Sequence, residues 1–310
     1  MKKTIALLLA ALLLLSLAAC SGGSGKKTDN GITTTEEPTE PVVLTAADDT
    51  QVMDLCFTAP QEYETVERYT DLDANGGLLE KDLVYSLADG GSITYAYMKG
   101  QDLSTIMDTS ELETREAGGQ SFMITERSGN YLAFAQKAED LYAVSYAPGE
   151  GGDGSLLDTL LAQVSFTDAT ETSIDDIDLY DIRYTIDENL HIAGTSIKLL
   201  STPDGTVTKK SVFWNYGESD DSVDFTLMVR VFKNATMASV LSEEKEYEQK
   251  TVSELEYTVL KTDDDTPYEY YTQHGDDVYE IRNNGKSGWT TTRTDESIAA
   301  FEAFLNSVGF

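Results

Sequence analysis

The feature that most constrains this chain is that it reads nearly the same way twice. Asp54-Leu55-Cys56-Phe57-Thr58 has a counterpart in Asp181-Ile182-Arg183-Tyr184-Thr185, and Leu79 to Tyr85 has one in Val207 to Phe213. Gln120 to Thr125 matches Ser253 to Thr258, and Leu141 to Tyr146 matches Asp277 to Arg282. Val164-Ser165-Phe166 is answered by Val308-Gly309-Phe310. The offset grows from 127 (181 − 54) to 144 (308 − 164) as loops lengthen, yet the order never breaks. Five correspondences in order predict a tandem duplication.

Within each copy the pattern is that of antiparallel strands. Leu55, Phe57 and Ala59 alternate with polar neighbours, which suits a half-buried strand. Further strands are predicted at 65–70, 81–87, 92–98, 120–126, 131–136 and 141–146, divided by turns such as Asn75-Gly76, Asp89-Gly90-Gly91 and Gly129-Asn130. A short helix is predicted at 103–108 behind Asp102 as N-cap, and another at 235–241 behind Asn234. Each copy ends in an amphipathic helix, 156–164 with Leu156, Leu157, Leu160, Leu161 and Val164, and 297–306 with Ile298, Phe301, Phe304 and Leu305, Val308 following at the same spacing. A helix with one apolar stripe must bury it, and the nearest apolar face is its own sheet. The expectation is an α+β protein of two tandem antiparallel sheets, each closed by a C-terminal helix, at 45–168 and 174–310 and joined near Thr167–Asp178. This order resembles the α/β sandwich of PsbP and Mog1-like proteins, in which a strand ending in an F-x-x-P turn opens the sheet. Phe57-Thr58-Ala59-Pro60 carries the resemblance, and Tyr184-Thr185-Ile186-Asp187 lacks the proline. The resemblance implies a binding or accessory role and transfers no site residues.

The N-terminus has a different character. Lys2 and Lys3 precede an unbroken apolar run from Ile5 to Leu15, long enough for export and short for a bilayer-spanning helix. Leu17-Ala18-Ala19-Cys20 follows and resembles the lipobox of bacterial lipoproteins. That resemblance implies removal of residues 1–19, diacylglycerol on the Cys20 sulfur and an extracytoplasmic, membrane-anchored protein, with two acyl chains giving a stable hold. Residues 20–44 read as a tether: Ser21-Gly22-Gly23-Ser24-Gly25 is flexible by composition, and 26–41 is rich in Thr, Glu and Pro without apolar periodicity. Such a tether reaches roughly 26 Å.

The chain has 22 basic and 55 acidic residues, and loss of Lys2 and Lys3 leaves 20 − 55 = −35. This excludes nucleic acid as a partner, since phosphate binding needs clustered Lys and Arg, and it leaves the anchor alone to hold the protein at an anionic membrane. A protein or small-ligand partner stays open. With Cys20 consumed by lipid, Cys56 has no intrachain partner, so the fold stands on its core without a disulfide.

Asp71-Leu72-Asp73-Ala74-Asn75-Gly76-Gly77-Leu78-Leu79-Glu80-Lys81-Asp82 resembles the calcium loop of EF-hands and dockerins, with Asp71, Asp73, Asn75, Gly77 and Asp82 as the ligand positions. The alternative is a hairpin turn at Asn75-Gly76 with solvated acids around it; the second copy has Thr202-Pro203-Asp204-Gly205-Thr206 there. Other acids cluster at Asp175-Asp176 with Asp178, at Glu218 with Asp220-Asp221, at Asp263-Asp264-Asp265 and at Asp276-Asp277, each in a predicted loop. His191 and His274 stand alone in predicted loops, and Cys56 has no basic setting to activate it. Tyr268-Glu269-Tyr270-Tyr271, Trp214 and Trp289 suit either cross-strand packing or a binding surface. Two classes of function follow: a non-catalytic binding or accessory module, and a hydrolase of cell-surface polymers using an acidic pair.

Overall fold

The computed structural model describes residues 50–73, 77–110, 112–167, 179–187, 189–200, 206–216, 225–262, 268–284 and 295–310. Cys20 and the tether lie outside them, as do Asn75, Trp289 and the acid clusters at 175–178, 218–221 and 263–265.

In the first copy the elements are β1 (Gln51–Val52), β2 (Leu55–Cys56), β3 (Thr65–Leu72), β4 (Leu78–Ser86), β5 (Ser92–Met98), α1 (Leu103–Ile106), β6 (Glu113–Ala117), β7 (Gln120–Arg127), β8 (Asn130–Lys137), β9 (Asp140–Ala147), α2 (Ser155–Ala162) and β10 (Ser165–Phe166). The second supplies β11 (Leu190–Leu200), β12 (Val207–Tyr216), β13 (Phe225–Phe232), α3 (Met237–Val240), β14 (Tyr247–Val252), β15 (Leu255–Leu260), β16 (Glu269–His274), β17 (Asp277–Asn283) and α4 (Asp295–Ser307). Strands β1, β2 and β10 form a small antiparallel sheet with β2 in the middle.

The expectation of two tandem α/β sandwiches of PsbP/Mog1 type does not hold. The chain is mostly β, and fourteen strands share one hydrogen-bonded order, β14-β15-β16-β17-β13-β12-β11-β3-β4-β5-β9-β8-β7-β6. The physical reason lies in β3 and β11. Each is the first strand of its copy's order and would otherwise present an unpaired row of N–H and C=O groups, which another strand satisfies better than water does. The described helices are short, 4, 8, 4 and 13 residues, and do not make up helical layers.

Two compact units result, and they are not consecutive halves. One comprises residues up to Val66, Leu83–Thr170 and 201–206; the other comprises Glu67–Asp82, Glu171–Leu200 and Val207–Phe310. The division therefore cuts across β3 and β4, whose outer halves count with β11 to β17.

In the first unit α2 buries Leu157, Leu160 and Leu161. The sheet's core-forming side chains come from alternating positions, as the two-residue period requires: Ile93, Tyr95 and Tyr97 of β5, and Tyr142, Val144 and Tyr146 of β9. Phe57 stacks on Tyr95 with 3.5 Å between ring centroids and meets Tyr85 edge-on. A separate apolar cluster joins Leu103 and Met107, at α1, to Ala96, Met98, Leu132, Phe134, Leu141 and Ala143, the alternate positions of the same strands. In the second unit one large core gathers Val212, Trp214, Leu227, Val229, Val231, Tyr257, Tyr270, Tyr279 and Ile281 with Phe301, Phe304 and Leu305 of α4.

The strands of the two copies run in the same relative order, first-second-third-seventh-sixth-fifth-fourth, with a short helix after the third. Local details match as well. The Arg183–Gly309 bridge stands where Cys56 pairs with Ser165. Asp140 Oδ1 accepts the Gly100 N–H at 2.8 Å, and Asp277 Oδ1 accepts the Asn234 N–H at 3.0 Å, each fixing the bend before the short helix. The two-residue turn Gly118-Gly119 has both φ positive, as such hairpins demand; its counterpart Ser253-Glu254 adopts the same handedness, at φ 45° and 75°, without glycine. Asp102 caps α1 as expected through Ser104 N at 2.8 Å, whereas α3 is capped by Thr236 in a capping box with Ser239 and not by Asn234.

Candidate functional site

The most unusual chemistry among the described residues sits on the outer half of the β3–β4 hairpin. In Leu78-Leu79-Glu80-Lys81-Asp82-Leu83-Val84-Tyr85 strand alternation sends Leu83 and Tyr85 into the apolar core and places Glu80 and Asp82 together on the other face. Both carboxyl groups are buried, Glu80 at 3% and Asp82 at 6% exposure. They lie on one face of the strand, close enough for each to act on the other's ionisation. Glu80 Oε1 and Asp82 Oδ1 have no hydrogen-bond partner. Burial pushes Glu80 well above the carboxylate range, and the charges of Asp82 and Asp71 push the same way. Burial likewise raises Asp82, reinforced by Asp71 and partly opposed by its bond to Glu80. The two titrate as a pair. Beside them the Tyr69 phenol is raised by burial and then by Asp71, Glu80 and Asp82, so it stays neutral.

One strand turn away the balance is opposite. Burial alone would raise Glu67, but Lys209, the hydroxyl of Ser196 and Lys198 outweigh it and hold the carboxylate below its usual range. Lys209 Nζ lies 2.9 Å from Glu67 Oε1, and the Ser196 hydroxyl donates to the same oxygen at 2.7 Å. Glu67 is thus a paired carboxylate, whereas Glu80 and Asp82 are buried acids whose charged forms burial disfavours.

The residues expected to bind calcium are divided between this cluster and the turn. Asp71 and Asp82 belong to the cluster. Asp73 and Gly77 close the hairpin, with Asp73 Oδ1 accepting the Gly77 N–H and Gly77 O accepting the Asp73 N–H, both at 2.8 Å. Asn75 lies outside the described residues. Strands flank the segment where an EF-hand has helices, and among the described residues no three His, Cys, Asp or Glu side chains are arranged to hold a metal ion.

A second polar feature crosses the other strands of this unit. Register places Ser196, Ser211, Arg230, Glu280, Tyr271, Thr258 and Gln249 in one transverse row. Arg230 donates from Nε to the Ser211 hydroxyl at 2.9 Å and from Nη1 to Glu280 Oε2 at 3.1 Å. The Tyr271 hydroxyl donates to Glu269 at 3.1 Å, and Glu269 also faces Arg282 at 3.3 Å and Lys245 at 3.5 Å. Burial raises the Tyr271 phenol, and the charges of Glu280 and Glu269 raise it further. Each buried acid here has a cation beside it, as buried charge requires.

The other sequence candidates have structural placements. His191 lies within β11 opposite Asn215, not in a loop, and His274 ends β16, stacked on Phe310 at 4.4 Å. Cys56 is partly buried in β2 with its sulfur 3.5 Å from the Thr167 hydroxyl. Trp214, Tyr270 and Tyr271 are buried packing residues. Asp277 pairs with Lys233. Sequence reasoning passed over Tyr69 and Glu80 and the Arg230–Glu280–Tyr271–Glu269 group. The available signal for the first was two acids spaced by two in a strand that is otherwise mainly apolar, with Lys81 between them.

No family model matches the chain, and no curated protein matches it. Among solved structures it overlaps MucB in complex with MucA(peri) and the MucA/MucB complex of Pseudomonas aeruginosa, in each case at 8% identity, over 80% of this chain and 93% of the other, with a TM-score of 0.19. At that score the overlap carries no argument about fold or function.

Proposed function

We propose that the chain is an extracytoplasmic lipoprotein whose folded body is a non-catalytic binding or accessory module, held at the membrane by lipid on Cys20 and recognising a protein or small-ligand partner. The observation that carries the reading is Leu17-Ala18-Ala19-Cys20 directly behind a basic and apolar leader. A chain with 55 acidic and 22 basic residues gains little from an anionic bilayer, so anchoring by acyl chains is the arrangement that suits it. No described helix is long and apolar enough to cross a membrane. The binding role is supported by the use of polar groups in and beside the strands: Arg230–Glu280 and Lys209–Glu67 join strands, and Lys233–Asp277 ties the residue after β13 to the start of β17, all setting shape. Among the described residues, the acidic pair Glu80 and Asp82 is buried, which does not suit attack on a polymer.

The test is to compare the parent with Cys20→Ser in a bacterial host by detergent phase separation and by labelling with a palmitate analogue. The parent should enter the detergent phase and carry the label, and the variant should do neither. Equal partition of the two proteins would overturn the anchor.

A further inference from the structure

The strand order of the second unit ends at β14, and among the described residues no strand pairs with its outer side. Such an edge presents a row of unpaired N–H and C=O groups. The register says which ones. The Lys261 N–H donates to Glu246 O at 2.9 Å, so residues 246 and 261 exchange backbone bonds. The pairing of β14 with β15 carries the same parity to Glu248, Lys250 and Val252. The backbone groups of Tyr247, Gln249 and Thr251 therefore point away from the sheet. Residues 248–251 are exposed. Glu248, Lys250 and Val252 share the face turned to the core: Val252 packs against it, and Lys250 donates to the Tyr270 hydroxyl at 3.2 Å, a neutral partner.

A strand that docks on this edge must match it in parity and in charge, and β14 itself does both. With a second copy laid antiparallel so that the two Gln249 residues stand opposite, Tyr247 of each copy meets Thr251 of the other, and the outward backbone groups of all three residues are matched. Glu248 of each copy then faces Lys250 of the other, at the positions between the hydrogen-bonded pairs, where side chains come closest. A shift of two residues is the smallest that keeps the parity. It sets Glu248 against Glu248 in one direction and Lys250 against Lys250 in the other, so charge selects one register. The two-fold axis through Gln249 makes that register a closed pair and not an open chain. The other edge strand, β6, is differently placed, because its cation, Arg115, is already held by Glu113 and Asp158. We propose that β14 is a self-association strand through which two copies of this chain join edge to edge, Glu248 of each facing Lys250 of the other. The pairing does not depend on the anchor at Cys20.

Disulfide trapping of the full chain in non-ionic detergent tests this, read by non-reducing electrophoresis under mild oxidation. Gln249→Cys puts a thiol on the two-fold axis, where the Cα separation of a hydrogen-bonded pair, about 5.5 Å, admits a disulfide. This variant should cross-link to a dimer. The parent, which reports Cys56, and Ser121→Cys, an exposed site in the first unit that reports chance collision and shared micelles, should stay largely monomeric. Adding Glu248→Lys or Lys250→Glu to Gln249→Cys turns both opposed pairs into like-charge pairs, and each should slow the initial cross-linking at least about tenfold. The two reversed chains are complementary to each other, so mixing them in equal amounts should restore the rate, which misfolded variants would not do. Cross-linking of Gln249→Cys no faster than that of Ser121→Cys, a rate unmoved by either reversal, or no recovery in the mixture overturns the pairing.

Discussion

Gly194 offers a sharp test of how β11 is seated. The ladder between β11 and β12 shifts register between Ile192 and Gly194, so this part of the strand bulges. A Cβ at residue 194 would fall well inside 3.0 Å of the Thr70 carbonyl oxygen, with Thr70 C at 3.4 Å and Asp71 Cα at 3.5 Å. All three are backbone atoms of β3, so no rotamer change can make room. Restoring an ordinary contact requires roughly 1 Å of strand separation. Overpacking of this kind costs about 1–3 kcal/mol, and the lower entropy of an unfolded alanine returns about 0.4–1 kcal/mol. Gly194→Ala should therefore lose about 1–2 kcal/mol. In urea, with a slope of about 1–3 kcal/mol per molar, the midpoint should fall by roughly 0.5–1 M. Fluorescence of Trp214, buried at 4% exposure on the adjoining β12, is a fitting reporter. Gly309→Ala makes the same chemical change where nothing lies within 4 Å and should leave the midpoint in place or raise it slightly. A Gly194→Ala protein as stable as the Gly309→Ala protein would refute the close seating of β11 on Thr70.

Two further outcomes follow from the polar pairs. Arg230→Met leaves Glu280, whose side chain is 4% exposed, without its guanidinium; a loss of about 2–4 kcal/mol is expected, reduced because Arg230 is itself 25% exposed, and adding Glu280→Leu should recover much of it in thermal unfolding. Asp140→Ala and Asp277→Ala remove equivalent caps, on Gly100 and Asn234, and each should lower stability by about 1–3 kcal/mol in urea titration, with little effect from either one counting against their equivalence.

Much of the strand pattern was legible because apolar residues every second position mark a half-buried strand whatever it pairs with. Ile93, Tyr95 and Tyr97, or Leu227, Val229 and Val231, declare their buried face locally. The final helices were legible through the stripe that α2 and α4 bury. Pairing partners were not. Periodicity states which face is inside and not which strand lies alongside, so the continuation of the ladder from β3 to β11 left no mark in either strand. Alignment by apolar phase was also loose: the hairpin ends show that Asp140, not Leu141, is the counterpart of Asp277, since Asp140 pairs with Lys137 and Asp277 with His274 across equivalent turns. The hairpin acids suggest either a cation loop or a turn with solvated acids because acid spacing is visible in sequence, while burial is a property of neighbours. Glu80 and Asp82 occupy the alternate positions to Leu83 and Tyr85, and sequence alone would send that face to water.

The matched topology makes one contrast informative. In the first unit, Ala96 pairs with Ala143 and Ala143 with Phe134 on a face covered at α1 by Leu103 and Met107. At the same three strand positions the second unit has Arg230, Glu280 and Tyr271, and α3 buries none of its residues. One fold thus admits two solutions to an inner face, apolar packing under a short helix or a charge network whose members satisfy one another. The two differ in what a partner could use. An apolar patch already covered by its own helix offers little, whereas a row with half-exposed Arg282 and Lys245 around buried glutamates presents directional donors.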